Sequence, residues 1–339
     1  MEGSDGRVAE EKAARRQLVH RRIGELVQTG VICGASYGFV DRDGGESFYL
    51  GAQGAVEPWS KRKLEAGMYY DLASLTKVTG TATRILQLVE SGRIRFDTPV
   101  QAVLGRFRHP GITVGNLLLH NSGLPDEIPD KKTLTSENIL DRLYETAPEA
   151  GPGERYCYSD PGFILLGLMV TAVDGCSLEE SFQSHIFKPL GMNHTSYHPK
   201  GELSAFVPEE YSEKRGWICG EVHDSKAYLL GESGSAGLFS TLEDMMAFAS
   251  AYIRRDDRLF GREMFEILER TDNFGRSYGW GVEFGPHVFY HTGFTGTSMV
   301  IHMDREEAFV LLTNRIHPTR ENERFLEARR EMNREWAGR

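Results

Sequence analysis

The sequence predicts an α/β (α+β) fold: an antiparallel sheet flanked by helices, carrying an inserted, mostly helical domain. Three observations predict it. An apolar strand–turn–strand pattern lies near the N-terminus, a run of short β-rich segments lies near the C-terminus, and apolar residues between them recur at helical spacing. The sheet domain is expected to take residues 1–72 and 232–339 and the helical domain residues 73–231, with an active site at their interface.

Bulk properties bound the answer. A chain of 339 residues is too long for one small core and suggests a large composite domain or two domains sharing an interface. Hydrophobic content of 40% and charged content of 26% are ordinary globular values. A formal net charge of −10 recommends neither nucleic acid nor an anionic membrane as a partner, which leaves small-molecule substrates. No stretch is apolar and long enough for a signal peptide or a membrane span, so a cytoplasmic location is expected. Cys33, Cys157, Cys176 and Cys219 form no Cys-x-x-Cys pair, which suits reduced thiols; Cys157 reads as a packed thiol more readily than a reactive one.

The elements follow in order. Val8 to Thr29 is charged with apolar Val19, Ile23, Leu26 and Val27, an amphipathic helix. Val31 to Val40 and Glu46 to Leu50 flank Asp41-Arg42-Asp43-Gly44-Gly45, a hairpin signal. From Ser74 onward apolar periodic runs occupy Leu75 to Val89, Val114 to Leu119, Ser136 to Tyr144, Gly162 to Val173 and Leu178 to Phe187, punctuated by glycine and proline. Ser240 and Glu243 have capping-box spacing ahead of a helix that runs to Ile253. Tyr278 to Phe284, His287 to His291, Thr297 to Met303 and Ala308 to Thr313 read as an antiparallel meander that joins the N-terminal hairpin in one sheet. Arg320 to Trp336 reads as a helix laid across it.

Three segments carry chemistry. In Ser74-Leu75-Thr76-Lys77 the serine stands at or near a helix N-terminus, with the lysine on the same face three residues on. A serine hydroxyl attacks a carbonyl only when a neighbour takes its proton, and the helix N-terminus favours the resulting oxyanion. The spacing alone arises by chance roughly once in such a chain, and Ser60 and Lys63 repeat it in a stretch that reads as a solvated loop. Tyr158, in Arg155-Tyr156-Cys157-Tyr158-Ser159-Asp160-Pro161-Gly162, is a candidate proton acceptor, because a nearby ammonium favours phenolate over phenol. His291-Thr292-Gly293 closes a strand and enters a glycine-rich turn where backbone can approach a substrate; His291 offers positive charge or a hydrogen bond and Thr292 a hydroxyl.

Together these segments resemble the serine β-lactamase and penicillin-binding-protein superfamily, in particular its class C-like branch of β-lactamases, DD-peptidases and esterases. Its Ser-x-x-Lys matches Ser74 and Lys77, its Tyr-x-Asn matches Tyr158-Ser159-Asp160 with Asp in place of Asn, and its Lys/His-Thr-Gly matches His291-Thr292-Gly293. Leu118-Leu119-His120-Asn121-Ser122-Gly123-Leu124-Pro125, Lys188-Pro189-Leu190-Gly191-Met192 and Ser235-Ala236-Gly237-Leu238-Phe239-Ser240-Thr241 look similar too. The resemblance implies a β-lactamase/transpeptidase-like fold and an acyl-enzyme mechanism without cofactor or metal. Ser74 would be the nucleophile, Lys77 and Tyr158 would carry the proton, and the backbone amides of Ser74 and Phe294 would hold the oxyanion. Asp160, His291, Thr292 and Gly293 would bind substrate.

Two departures shape the expected substrate. Asp160 should favour the Lys77 ammonium, which shifts the role of base toward Tyr158, and should repel a carboxylate-bearing substrate. His291 in place of Lys should make anion binding depend on pH near neutrality. Both lean toward an esterase-type serine hydrolase acting on an ester, an amide or a β-lactam, with a D-Ala-D-Ala carboxypeptidase or a β-lactamase as alternatives. A catalytically idle penicillin-binding or scaffold protein is the reading of another class. His194 and His198 have metal-ligand spacing but sit in a loop sequence, and His223 and Asp224 either line the cleft or order a loop.

Overall fold

A computed structural model describes residues 2–338, with side chains from residue 6 onward. Helix α1 (Glu2–Gln28) buries Val19, Ile23 and Leu26. Their spacing of four and three residues gives an otherwise charged helix one stripe to lay on the sheet. Strands β1 (Gly34–Val40) and β2 (Gly45–Gly51) form the expected hairpin, with Val40 opposite Gly45. The Asp41 carboxylate fixes the turn by accepting from the Asp43 and Gly44 amides at 2.9 and 3.1 Å. The strand starts three residues later than the apolar run, because Val31 and Ile32 still donate to the Leu26 carbonyl at the end of α1.

The C-terminal meander supplies β3 (Arg276–Ser277), β4 (Trp280–Gly281), β5 (Val288–Thr292), β6 (Ser298–His302) and β7 (Glu307–Leu312). The β4 strand is much shorter than the run from Tyr278 to Phe284, since Tyr278 and Gly279 adopt φ of 28° and 99° and break the extended chain. The sheet order is β2-β1-β7-β6-β5-β4-β3, and Phe39 of β1 faces Phe309 of β7. The two ends of the chain therefore share one antiparallel sheet, as the patterning predicts.

Between them run α2 (Thr83–Glu90), which continues a π-helical turn over Lys77–Ala82, then α3 (Asp160–Asp174) and α4 (Leu242–Ile253), and α5 (Glu323–Ala337) closes the chain. The capping expectation at α4 is off by one residue. Thr241, not Ser240, is the cap and accepts from the Asp244 amide, because Ser240 is held in a short strand opposite Tyr70 with its hydroxyl on Thr195. On one face of the sheet Phe309 and Leu311 pack with α1 and α5 through Ile23, Phe325 and Trp336. On the other, Val310 and Leu312 join a core that runs through α4 to Leu86 of α2 and Phe163 and Leu166 of α3. With both faces covered, β7 is buried along its whole length, and each such Phe or Leu contributes about 1.5–3 kcal/mol.

Candidate active site

The nucleophile turn is built by the buried Asp71. Its Oδ1 accepts from the Ala73 amide at 2.8 Å and its Oδ2 from the His223 amide at 2.7 Å. Burial pushes this carboxyl above its usual range, against the two amides that favour its charge. Ala73 is held at φ 46°, a left-handed conformation unusual for a residue with a Cβ, and the helix begins at Leu75. Ser74 thus sits half-exposed at a helix N-terminus.

The next turn is π-helical and carries Lys77, which is fully buried. Its Nζ donates to Ser74 Oγ at 3.1 Å, to Asp160 Oδ1 at 2.7 Å and to the Ser235 carbonyl at 2.8 Å. These three bonds use all three ammonium hydrogens. Burial penalises the charge, but Asp160 and Tyr158 outweigh it and hold Lys77 as an ammonium, in line with the expectation from Asp160.

Tyr158 stands beside this cation, with Nζ of Lys77 5.0 Å from its ring centroid. The loop from Leu118 to Pro125 fixes it there. His120 stacks on the Tyr158 ring at 4.5 Å and on Phe163 at 4.9 Å, and its Nδ1 accepts from the Ser159 amide at 3.0 Å. Ser159 in turn caps α3 and donates to the Pro125 carbonyl at 2.7 Å. Burial drives the His120 imidazole well below its usual range, so it is a neutral wedge behind the phenol.

The third segment comes from β5. Thr295 and Thr297 donate their hydroxyls to the carbonyls of Asp71 and Leu72 at 2.8 and 3.0 Å, which pins the Gly293–Gly296 turn against the nucleophile turn. Among the described residues, neither the Ser74 nor the Phe294 backbone N–H has a protein acceptor. The His291 ring lies 6.2 Å from that of Tyr158. The three stretches that the sequence singles out therefore meet at one place.

Ser74, Tyr158, Asp160, His291, Thr292, Gly293 and Phe294 line a cleft of about 670 Å³. Two expectations need correction. His291 is 3% exposed, and burial, then the nearby Arg276 and Lys77, push its imidazole well below the usual range, so it is neutral rather than cationic. Its Nδ1 faces the Thr292 carbonyl at 3.1 Å and must carry the proton, which leaves Nε2 an acceptor. Asp160 also does not present a free negative charge to the cleft, because its Oδ2 lies 3.2 Å from the Lys226 ammonium.

Positive charge enters from residues that sequence reasoning missed. Arg276, Arg315, Arg320 and Arg329 line the cleft. Arg320 pairs with Glu210, whereas among the described residues Arg276, Arg315 and Arg329 form no ion pair and donate instead to Tyr156 Oη, Phe294 O and Gly293 O. Burial and then the Arg315 charge bring Arg329 down to about 9. No local motif marks these arginines, which come from β3, from the loop after β7 and from α5. His223 lines the cleft and stacks on Phe294 at 5.5 Å, while His194 and His198 pair separately with Tyr69 and Glu232.

Comparison with known proteins agrees with this geometry. The Beta-lactamase family model matches residues 19–332. An Escherichia coli (strain K12) protein with the provisional name D-alanyl-D-alanine carboxypeptidase is 30% identical over 311 residues, covering 75% of this chain and 71% of its own. The N-acetylmuramyl-L-alanine amidase of Bacillus subtilis (strain 168) is also 30% identical over 311 residues, covering 75% and 70%. Among solved structures, a class C beta-lactamase superposes with a TM-score of 0.77 at 17% identity, covering 96% of each chain. A penicillin binding protein from Bacillus halodurans does so with a TM-score of 0.70 at 22% identity, covering 91% of this chain and 99% of its own. The curated relatives are named as hydrolases, and the solved structures share the fold. The chain belongs to the Beta-lactamase family, within the serine β-lactamase and penicillin-binding-protein superfamily.

Proposed function

We propose that this protein is a serine hydrolase that cleaves a peptide-like amide through an acyl-Ser74 intermediate, and that its substrate carries a carboxylate. The observation that carries the first half is the convergence on Ser74 Oγ: a fully donating ammonium at 3.1 Å, a phenol over that ammonium, and two unengaged backbone amides. Since every Lys77 hydrogen is already donated, Lys77 cannot accept the serine proton in this arrangement. Tyr158 is then the group that takes it.

With Tyr158 as the phenolate, Ser74 Oγ attacks the substrate carbonyl as its proton passes to the Tyr158 oxygen, which becomes the phenol, and the negative charge that moves onto the carbonyl oxygen meets the Ser74 and Phe294 amides. Collapse breaks the scissile bond, and the leaving nitrogen takes the proton back from Tyr158. Water then repeats the cycle against the acyl-enzyme with the same pair. Lys77 stays cationic throughout, and its charge offsets that of Tyr158 whenever the phenol has no proton.

The second half rests on three cleft arginines that pair with no carboxylate among the described residues, a feature that suits an anionic substrate in a chain whose net charge is −10. With Asp160 bonded to two lysines, the repulsion that disfavoured such substrates falls away. The amidase and carboxypeptidase names of the relatives point the same way. Esterase-type turnover is the second reading, favoured by Phe294, which is 44% exposed and adds apolar surface to the cleft that Ser74 lines.

The test is intact-mass analysis and turnover with a fluorophosphonate, a penicillin, nitrophenyl acetate and an acyl-D-alanyl-D-alanine peptide, beside a Ser74→Ala control. The expected result is a Ser74-dependent adduct with release of the terminal residue. Acetate turnover without peptide cleavage would move the assignment to an esterase. No adduct with any probe would leave a binding or scaffold protein.

A further inference from the structure

Lys226 is a buried cation that the acyl-serine reading leaves without a task. It lies in the first turn of the short helix Ser225–Leu230, where Asp224 Oδ1 accepts from its amide at 3.0 Å. Its side chain is 4% exposed, and its ammonium lies 2.7 Å from Glu127 Oε2, 3.2 Å from Asp224 Oδ2 and 3.2 Å from Asp160 Oδ2. Asp160 spans the two lysines, with its other oxygen on Lys77 at 2.7 Å. A chain of charge thus runs Glu127–Lys226–Asp160–Lys77 and ends on Ser74.

The superfamily motif places an amide at position 160, which donates one bond and accepts another without adding charge. A carboxylate can only accept, and alone beside Lys77 it would bind that proton too well and disfavour an anion on Tyr158. We propose that Lys226 is a positioning residue for the Ser74 centre: by holding Asp160 Oδ2 it offsets the charge of the carboxylate, so that the Lys77–Tyr158 pair can still accept the serine proton. Lys226 and Asp160 act together as the equivalent of one neutral amide.

Other charged and titratable groups surround this chain of charge. Glu127 is shared with Lys131 at 3.4 Å, Asp224 pairs with Lys226 and also lies near the buried Asp71 carboxyl, and Arg276 stands 6.0 Å from the Tyr158 ring on the sheet side. His120 and His291, which flank Tyr158, are neutral. Removing Lys226 leaves Asp160, Glu127 and Asp224 with less positive charge, and all three changes act in one direction. The deprotonated form of the pair becomes harder to reach.

This inference rests on the acyl-serine reading, and fluorophosphonate labelling separates the two. If wild type shows no Ser74-dependent labelling, that reading fails and this one with it. If wild type labels, the second-order labelling rate against pH is compared for Lys226→Met, Lys226→Arg, Asp160→Asn and the Asp160→Asn/Lys226→Met double variant. Lys226→Met is expected to label about 10-fold more slowly at neutral pH, with the acidic inflection moved up by about one unit and the rate recovered at high pH. Lys226→Arg keeps the inflection. In the Asp160→Asn background the inflection moves down, and loss of Lys226 costs less than about 3-fold. A slower rate with an unmoved inflection, or the same loss in both backgrounds, would overturn the proposal. Should Lys226→Met fail to fold, the Asp160→Asn pair decides alone: equal profiles support the proposal, and a further large loss rejects it.

Discussion

The Thr297 hydroxyl donates to the carbonyl of Leu72 at 3.0 Å, joining the turn after β5 to the chain two residues before Ser74. This bond spans 225 residues of sequence and sets the distance between the two amides proposed to hold the oxyanion. Gly293 lies between the partners, where a Cβ would come within 2.0 Å of Thr297 Oγ1 and 2.6 Å of Leu72 O. Only a residue without a side chain lets the two turns approach this closely.

Gly293→Ala should therefore separate the turns. The clash is with a buried hydroxyl and a backbone oxygen rather than a flexible side-chain tip, so a loss of about 1–3 kcal/mol in stability is expected. The Phe294 amide moves with the turn, so kcat should fall by about 10²–10³, as when one oxyanion donor is removed. Denaturant melts and steady-state kinetics check both. Full activity in a destabilised but folded variant would remove Phe294 from the site.

Tyr158→Phe keeps the ring stacked on His120 and removes only the proton acceptor. The expected outcome is an unchanged melting transition, a nearly unchanged KM and a fall in kcat of about 10²–10⁴. A loss below about 5-fold would return the role of base to Lys77.

The sequence made most of the fold legible because both sheet faces and the helix stripes depend on local periodicity. It also exposed Ser74, Lys77, Tyr158 and His291, since each sits in a short motif at a turn or helix start. What it could not expose depends on distant pairing. Asp160 reads as a bare charge until Lys226, 66 residues on, is seen against its second oxygen. His291 reads as a pH-sensitive cation until its burial is known, and Arg276, Arg315 and Arg329 have no common spacing. Charges add through space, and a motif reports only neighbours along the chain.

The neutral state of His291 has a measurable consequence. Its pKa lies well below the ordinary 6.5, so it stays uncharged as pH falls through 6.5 and gains a proton only in much more acid solution. For a carboxylate-bearing peptide, KM should be flat between about pH 6 and 8, because the arginines do not titrate there. Arg276→Ala should raise that KM by about 10-fold or more while leaving nitrophenyl acetate turnover within about 3-fold. An equal loss on both substrates would mean that Arg276 only supports Tyr156, to which it donates at 2.6 Å.

Asp174 offers a test of stability away from the cleft. Its carboxylate receives a two-point bond from Arg84, at 2.8 Å to each oxygen, with further bonds from Ser181 Oγ and Arg93 at 2.6 Å. It ties the end of α3 to α2. Burial alone would raise this carboxyl, but the Arg84 and Ser181 bonds outweigh it and hold it at about 2, below the ordinary 3.8. A carboxyl whose pKa is depressed on folding stabilises the protein above its unfolded value, and that contribution is lost as pH falls from about 4 toward 2. Asp174→Asn removes the charge and leaves the 6%-exposed Arg84 side chain without its partner, so the variant should be less stable at neutral pH by about 2–4 kcal/mol. Urea melts at several pH values should show the gap between wild type and variant constant above about pH 5 and closing below about pH 3.5, because acid neutralises the wild-type carboxylate and makes it resemble the amide. A gap that stays the same down to pH of about 2.5 would show that shape and hydrogen-bond count, rather than the charge on Asp174, hold α2 to α3.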